Sequence, residues 1–194
     1  MLPPGHIAAG YLTADLLIKI GKPNLPANEL RALPWIGAAF GFAPDLDMFV
    51  AFAQAHGFTI PGTQINHRRF PTHRPFLWFC AGIIIYAAAA VFGRSQTQNA
   101  NAATLAEFWK YIGLIVWIAP WSHFALDSIK GGVKWLWPFR KNFYALKEPG
   151  VKEEISGKRF FGYWKNFLHH YAEKAMPVLI LEIILLAVWI IVLI

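Results

Sequence analysis

Four short motifs in this chain carry side chains that bind metal ions or anions. His67-Arg68-Arg69-Phe70-Pro71-Thr72-His73-Arg74 puts two imidazoles, three guanidiniums and a proline between two apolar runs. Imidazole is the commonest metal ligand, and arginine holds phosphate or carboxylate oxygens in a planar fork. Pro44-Asp45-Leu46-Asp47 sets two carboxylates inside an apolar run from 35 to 58, where an acid is costly unless paired, solvated or metal-bound. His123 and Asp127 end a further apolar run four residues apart, so on a helix they share a face and can grip one ion. His6 opens the first apolar stretch.

Simpler readings stand beside each motif. Pro44 favours a helix starting there, with both aspartates in its first turn, where negative charge is stabilised. Capping needs one acid, and the second asks for another reason. His123 and Asp127 can share a hydrogen bond without metal. Asp15 and Lys19, at helical spacing, read as an ordinary ion pair. His56, His169 and His170 read as surface residues, and Glu182 is the only charge in the last apolar run.

Composition fixes the setting. Of 194 residues, 56% are hydrophobic and 15% charged, against about 25% charged in soluble domains, and mean hydropathy is +0.39. Nine tryptophans tend to flank the apolar runs, as in an interfacial belt. The chain is therefore an integral membrane protein. Its net charge of +7 does not indicate nucleic acid, because the basic residues gather in loops between apolar runs, as the positive-inside bias requires. A single cysteine, Cys80, excludes an intramolecular disulfide and a thiolate metal site. The N-terminus has no basic region or cleavage site of a removed signal peptide.

The expected fold is an all-α, polytopic membrane helix bundle in one domain over 1–194. Five hydrophobic segments are expected at 6–20, 35–58, 76–92, 108–126 and 176–194, four or five of them spanning. Residues 1–145 bear the motifs, 146–175 form a basic interfacial region, and 176–194 a C-terminal transmembrane helix. Residues 23–28 and 94–104 read as loops. Within the basic region, 159–171 spaces aromatic and apolar residues as an interfacial amphipathic helix does.

Parity then tests whether the motifs can meet. Thirteen of the eighteen Lys and Arg residues fall in loops two and four: Arg68, Arg69, Arg74 and ten between 130 and 174. Those loops and the N-terminus are expected in the cytoplasm. If all five segments cross, His6, Asp45, Asp47, His67, His73, His123 and Asp127 all fall toward that face. Such a cluster can hold one or two divalent ions, zinc or manganese, since nitrogen and oxygen ligands without thiolate suit both. Arg68 and Arg74 would orient an anionic group, phosphate above all.

In order and spacing, His6-x3-Gly10, Pro44-Asp45-x-Asp47, His67-Arg68-x3-Thr72-His73 and His123-x3-Asp127 resemble the YdjM-type, LexA-regulated bacterial inner-membrane proteins described as metal-dependent hydrolases. Gly132-Val133 followed by Leu136-Trp137-Pro138 resembles the segment after the last motif there. The resemblance covers residues 5 to about 145, and the C-terminal fifty residues add nothing to it. It implies that the same seven residues are metal ligands and that the protein sits in the inner membrane. Arg69 and Arg74 depart from it, standing where the family tends to have glycine and serine. The motif set is also similar to that of zinc-dependent phospholipases C, which turns the substrate expectation toward phosphoesters and lipids.

The leading expectation is a membrane-bound metal-dependent hydrolase acting on a phosphoester or lipid-like substrate at the cytoplasmic face, with Asp45 or Asp47 bridging metals or taking the proton of the attacking water. The alternatives are a metal or ion transporter and a non-catalytic membrane protein with a structural metal or ion-pair cluster. The basic loop from 130 to 174 would meet anionic membrane lipid or an acidic partner.

Overall fold

A computed structural model describes residues 2–54, 70–95, 99–129, 132–146, 162, 165, 166, 168, 169 and 176–194. Helix α1 runs Pro3–Gly21. Its two prolines occupy the first turn, where a missing N–H costs no hydrogen bond. It ends at Lys22, left-handed at φ 45°, whose N–H reaches the Ile18 carbonyl at 2.8 Å. The expected ion pair is present, Lys19 Nζ to Asp15 Oδ2 at 2.6 Å.

The second apolar segment is broken into three. Helix α2 (Ala27–Phe42) starts inside the stretch expected as a loop, one residue after Pro26. A 3-10 turn (Ala43–Leu46) follows, and α3 (Asp47–Gln54) resumes from it. Pro44 explains the break: it supplies no N–H, and its ring clashes with the carbonyl four residues back. Both aspartates thus enter first turns, Asp45 in the 3-10 turn and Asp47 in α3.

A further 3-10 turn, Pro71–His73, leads into α4 (Pro75–Ser95), and α5 spans Ala100–Asp127. The expected loop at 94–104 is therefore much shorter. Its alanines favour helix, and Asn99 caps α5, its side chain accepting from Ala102 N–H at 3.1 Å. The C-terminal helix α6 is Met176–Leu193. Helices α4, α5 and α6 are long and apolar enough to cross a membrane. At 28 residues α5 is about 42 Å long, more than a hydrocarbon core of about 30 Å requires. No strand occurs among the described residues. Val133 and Tyr144 instead form one antiparallel bridge after α5. Most of 159–171 lies outside the described residues, but Lys165, Asn166, Leu168 and His169 are helical and exposed.

Helix α5 is the central element: α4 packs along it, and the α1–α2 pair packs on its other side, with α6 against α1. The core between them holds Leu33, Tyr111, Ile112, Ile115, Val116 and Ala119. Outward residues of α4 and α6, among them Ile84, Val91, Ile183 and Ile191, are exposed and apolar, as lipid contact demands. Helix pairs in lipid gain little from hydrophobicity and associate through close packing at small residues. At Gly41 a Cβ would lie 2.5 Å from the His6 carbonyl oxygen, and at Gly82 one would lie 2.5 Å from the Gly113 carbonyl oxygen. Both helix pairs are therefore pressed backbone to backbone. Gly82→Val should destabilise the bundle by about 1–3 kcal/mol through overpacking, read as a lowered thermal midpoint of the detergent-purified protein.

Candidate metal centre

The folding of α2 against α1 and α5 brings the polar motifs to one buried place. His6 comes from the first turns of α1, Asp45 from the 3-10 turn after α2, and Asp47 from the start of α3. His73 ends the turn before α4, and His123 and Asp127 lie on one face at the end of α5. All six are at most 6% exposed. His67 and Arg68 lie outside the described residues, as does His56.

The distances describe a cluster rather than separate pairs. Asp45 Oδ1 stands 3.6 Å from His73 Nε2 and 3.6 Å from His123 Nε2, and its Oδ2 stands 4.0 Å from His6 Nε2. Asp127 Oδ1 is 3.6 Å from His6 Nε2, while its Oδ2 is 3.7 Å from His123 Nε2 and 3.9 Å from His73 Nε2. These separations are too long for hydrogen bonds. Two ligands each about 2.1 Å from a tetrahedral ion would be about 3.4 Å apart, close to what is seen. Two donor sets meet the spacing a metal ion requires, His6 with His123 and Asp127, and Asp45 with His73 and His123. His123 belongs to both. Its ring stacks on His6 with centroids 3.7 Å apart and meets His73 edge-on at 5.3 Å.

The outer contacts fix which nitrogen faces the cluster. His123 Nδ1 lies 2.9 Å from the Gly41 carbonyl, which can only accept, so Nδ1 carries the proton and Nε2 presents its lone pair. That Nε2 is buried without a hydrogen-bond partner, and its lone pair can accept a cation. His73 Nδ1 sits 2.7 Å from Asp47 Oδ2, and the same oxygen accepts from Thr72 Oγ1. Asp47 thus stands behind His73, in the carboxylate–histidine arrangement that orients metal ligands. Burial works against charge on His73, but the Asp45 and Asp47 carboxylates outweigh it and raise its pKa from 6.5 to about 9. A cation at Nε2 would take the place of that proton.

The segment carrying His73 is clamped by indoles. Trp78 Nε1 donates to the Thr72 carbonyl at 2.7 Å, and Trp121 Nε1 to the Pro75 carbonyl at 3.1 Å. Arg74, next to His73, lays its guanidinium over the Trp137 ring at 4.4 Å, a cation–π contact that sets its direction. Thr72, Trp78, Trp121 and Gly41 were given no role by the sequence reading. Only Thr72 carried a signal, as a hydroxyl beside a motif histidine. Glu182, the only charge of the last apolar run, accepts the backbone N–H of Leu2 at 3.0 Å, at the N-terminus of α1.

The bundle and its centre define a polytopic helical membrane protein with a buried histidine–aspartate cluster able to hold a metal ion. The sequence model of the family described as YdjM inner membrane protein matches residues 1–194, and the chain belongs to that family. The match takes in the C-terminal fifty residues, where the motifs carried no resemblance. No curated protein and no solved structure matches the chain.

Because Asp47 holds His73 from behind, Asp47→Asn should weaken Zn2+ affinity by about 10–100-fold. Thr72→Val, which removes one hydrogen bond and leaves the carboxylate, should weaken it less. Competition against a chromogenic chelator measures both, and equal affinities in wild type and Asp47→Asn would remove Asp47 from the site.

Proposed function

We propose that this inner-membrane protein is a metal-dependent hydrolase acting on a phosphoester or lipid-like substrate. One observation carries the reading: His123 Nε2 is buried without a hydrogen-bond partner while it faces Asp45 and Asp127 at 3.6 and 3.7 Å. The donor set, nitrogen and carboxylate oxygen without thiolate, suits zinc or manganese, as one or two ions. His6, Asp45, His73, His123 and Asp127 are the ligands in this reading, with His67 a further one. A metal held there would supply Lewis acidity, activating a water and polarising the scissile phosphoryl or acyl group.

The remaining roles belong to the chain. Asp45, which faces His6, His73 and His123, would bridge metals or take the proton of the attacking water. Asp47 keeps His73 in its ligand tautomer. Arg74, already directed by Trp137, pairs with the anionic group of the substrate, together with Arg68. The positive-inside bias puts the N-terminus and the basic loops in the cytoplasm, so that the substrate is met at the cytoplasmic face of the membrane.

A second reading is favoured by burial itself. Structural metal sites are closed, whereas catalytic ones keep a position open to substrate, and His73 and His123 are both 0% exposed. In that reading the ion ties α1, α4 and α5 together and turns nothing over.

Metal analysis separates these readings. Detergent-purified protein should carry one or two equivalents of zinc or manganese, lost in a His123→Ala/Asp127→Ala variant. Asp45→Asn should lower turnover of phosphoester or phospholipid substrates by about 100-fold or more. Metal-loaded wild type that hydrolyses none of them, but loses thermal stability on chelation, would establish the structural reading. A folded wild type that takes up no metal would end both.

A further inference from the structure

Glu182 is the one charged residue of α6. It is 2% exposed on a helix most of whose residues are exposed or half-buried. A carboxylate in such a helix is expensive and persists where it meets a specific partner. Its partner is the start of the chain's first helix. Glu182 Oε1 accepts the Leu2 N–H at 3.0 Å, and its side chain lies so close to Gly5 that a Cβ there would be 2.7 Å from Oε1 and 2.9 Å from Cγ. Helix α1 has no acidic residue in its first turn and no side-chain cap of its own. Pro3 and Pro4 bring no N–H to its first two positions, and the Gly5 N–H bonds the Leu2 carbonyl at 3.1 Å; the N–H of the N-cap residue Leu2 is the donor that α6 accepts, as the acid of a capping box does. The residue after Gly5 is His6, whose Nε2 faces Asp127 at 3.6 Å.

We propose that Glu182 is a positioning residue for the metal centre. By capping α1 from the last helix, it holds the turn that carries His6 and so keeps that imidazole against His123 and Asp127. The contact is made at the backbone of Leu2 and the open face of Gly5, so it acts on the helix end rather than on the ring. The same placement gives α6 a part in the site without contributing a ligand. The affinity consequence rests on the metal-centre reading, but the capping role does not.

Two measurements on the full chain in detergent test it. Hydrogen exchange over residues 2–10 should accelerate by about 10-fold or more in Glu182→Ala, with α4 and α5 unchanged, since a lost cap opens the helix end locally. Unchanged exchange over 2–10 overturns the proposal whether or not the protein binds metal. Zn2+ affinity should fall by about 10-fold in Glu182→Ala. In a His6→Ala background the same substitution should leave affinity essentially unchanged, because the ligand it positions is already gone. An equal loss in both backgrounds would mark a general structural effect and overturn the positioning role. Wild type that binds no Zn2+ at all would remove the metal-centre reading and leave exchange to decide the cap. If Glu182→Ala does not insert, Glu182→Met carries both comparisons, since it removes the acceptor and keeps the length of the side chain.

Discussion

The hydrogen bond between His123 Nδ1 and the Gly41 carbonyl, at 2.9 Å, is the contact on which the centre depends. It joins the central helix α5 to the end of α2, and it fixes the tautomer that turns Nε2 toward the carboxylates. Gly41 also meets the His6 carbonyl of α1, with no room for a Cβ between them. A single glycine thus sets the spacing of three helices at the level of the site. The stacked rings of His6 and His123, 3.7 Å apart, follow from that spacing. A larger residue at 41 would separate the helices and the imidazoles together.

Around this contact the polar groups are satisfied from outside inward. Asp47 and Thr72 hold His73, Trp78 and Trp121 hold the backbone on either side of it, and Glu182 holds the helix end next to His6. Each of these partners belongs to a different element from the group it holds, apart from the local clamp of Thr72 and Trp78. The cluster is therefore a product of the tertiary fold. Isolated helices would carry its residues without its geometry.

Much of this was legible in the sequence because membrane bundles allow few places for charge. The carboxylates of Asp45 and Asp47 in an apolar run, and the helical spacing of His123 and Asp127, announced buried polar groups. Composition gave the helical membrane class for the same reason. What stayed hidden depends on contacts between distant positions. Asp45 and Asp47 look equivalent in the motif, yet one faces three imidazoles and the other stands behind one of them, because Pro44 splits the segment into two turns of different pitch. Helix ends were misplaced where small residues obscure the apolar pattern, as at Ala100. The partner of Glu182 could not be read at all, since it is a backbone N–H 180 positions away.

The order of the ligands along the chain bears on how the molecule is made. His6, Asp45, Asp47 and His73 are synthesised before His123 and Asp127, and chains fold as they emerge, N-terminal parts first. The early elements α1 to α4 thus reach the membrane carrying buried-to-be acids and imidazoles whose central counterpart does not yet exist. Their polar groups must keep contact with water or headgroups until α5 arrives. With α5 the set of ligands is complete, and α6, made last, bonds the end of the helix that was made first.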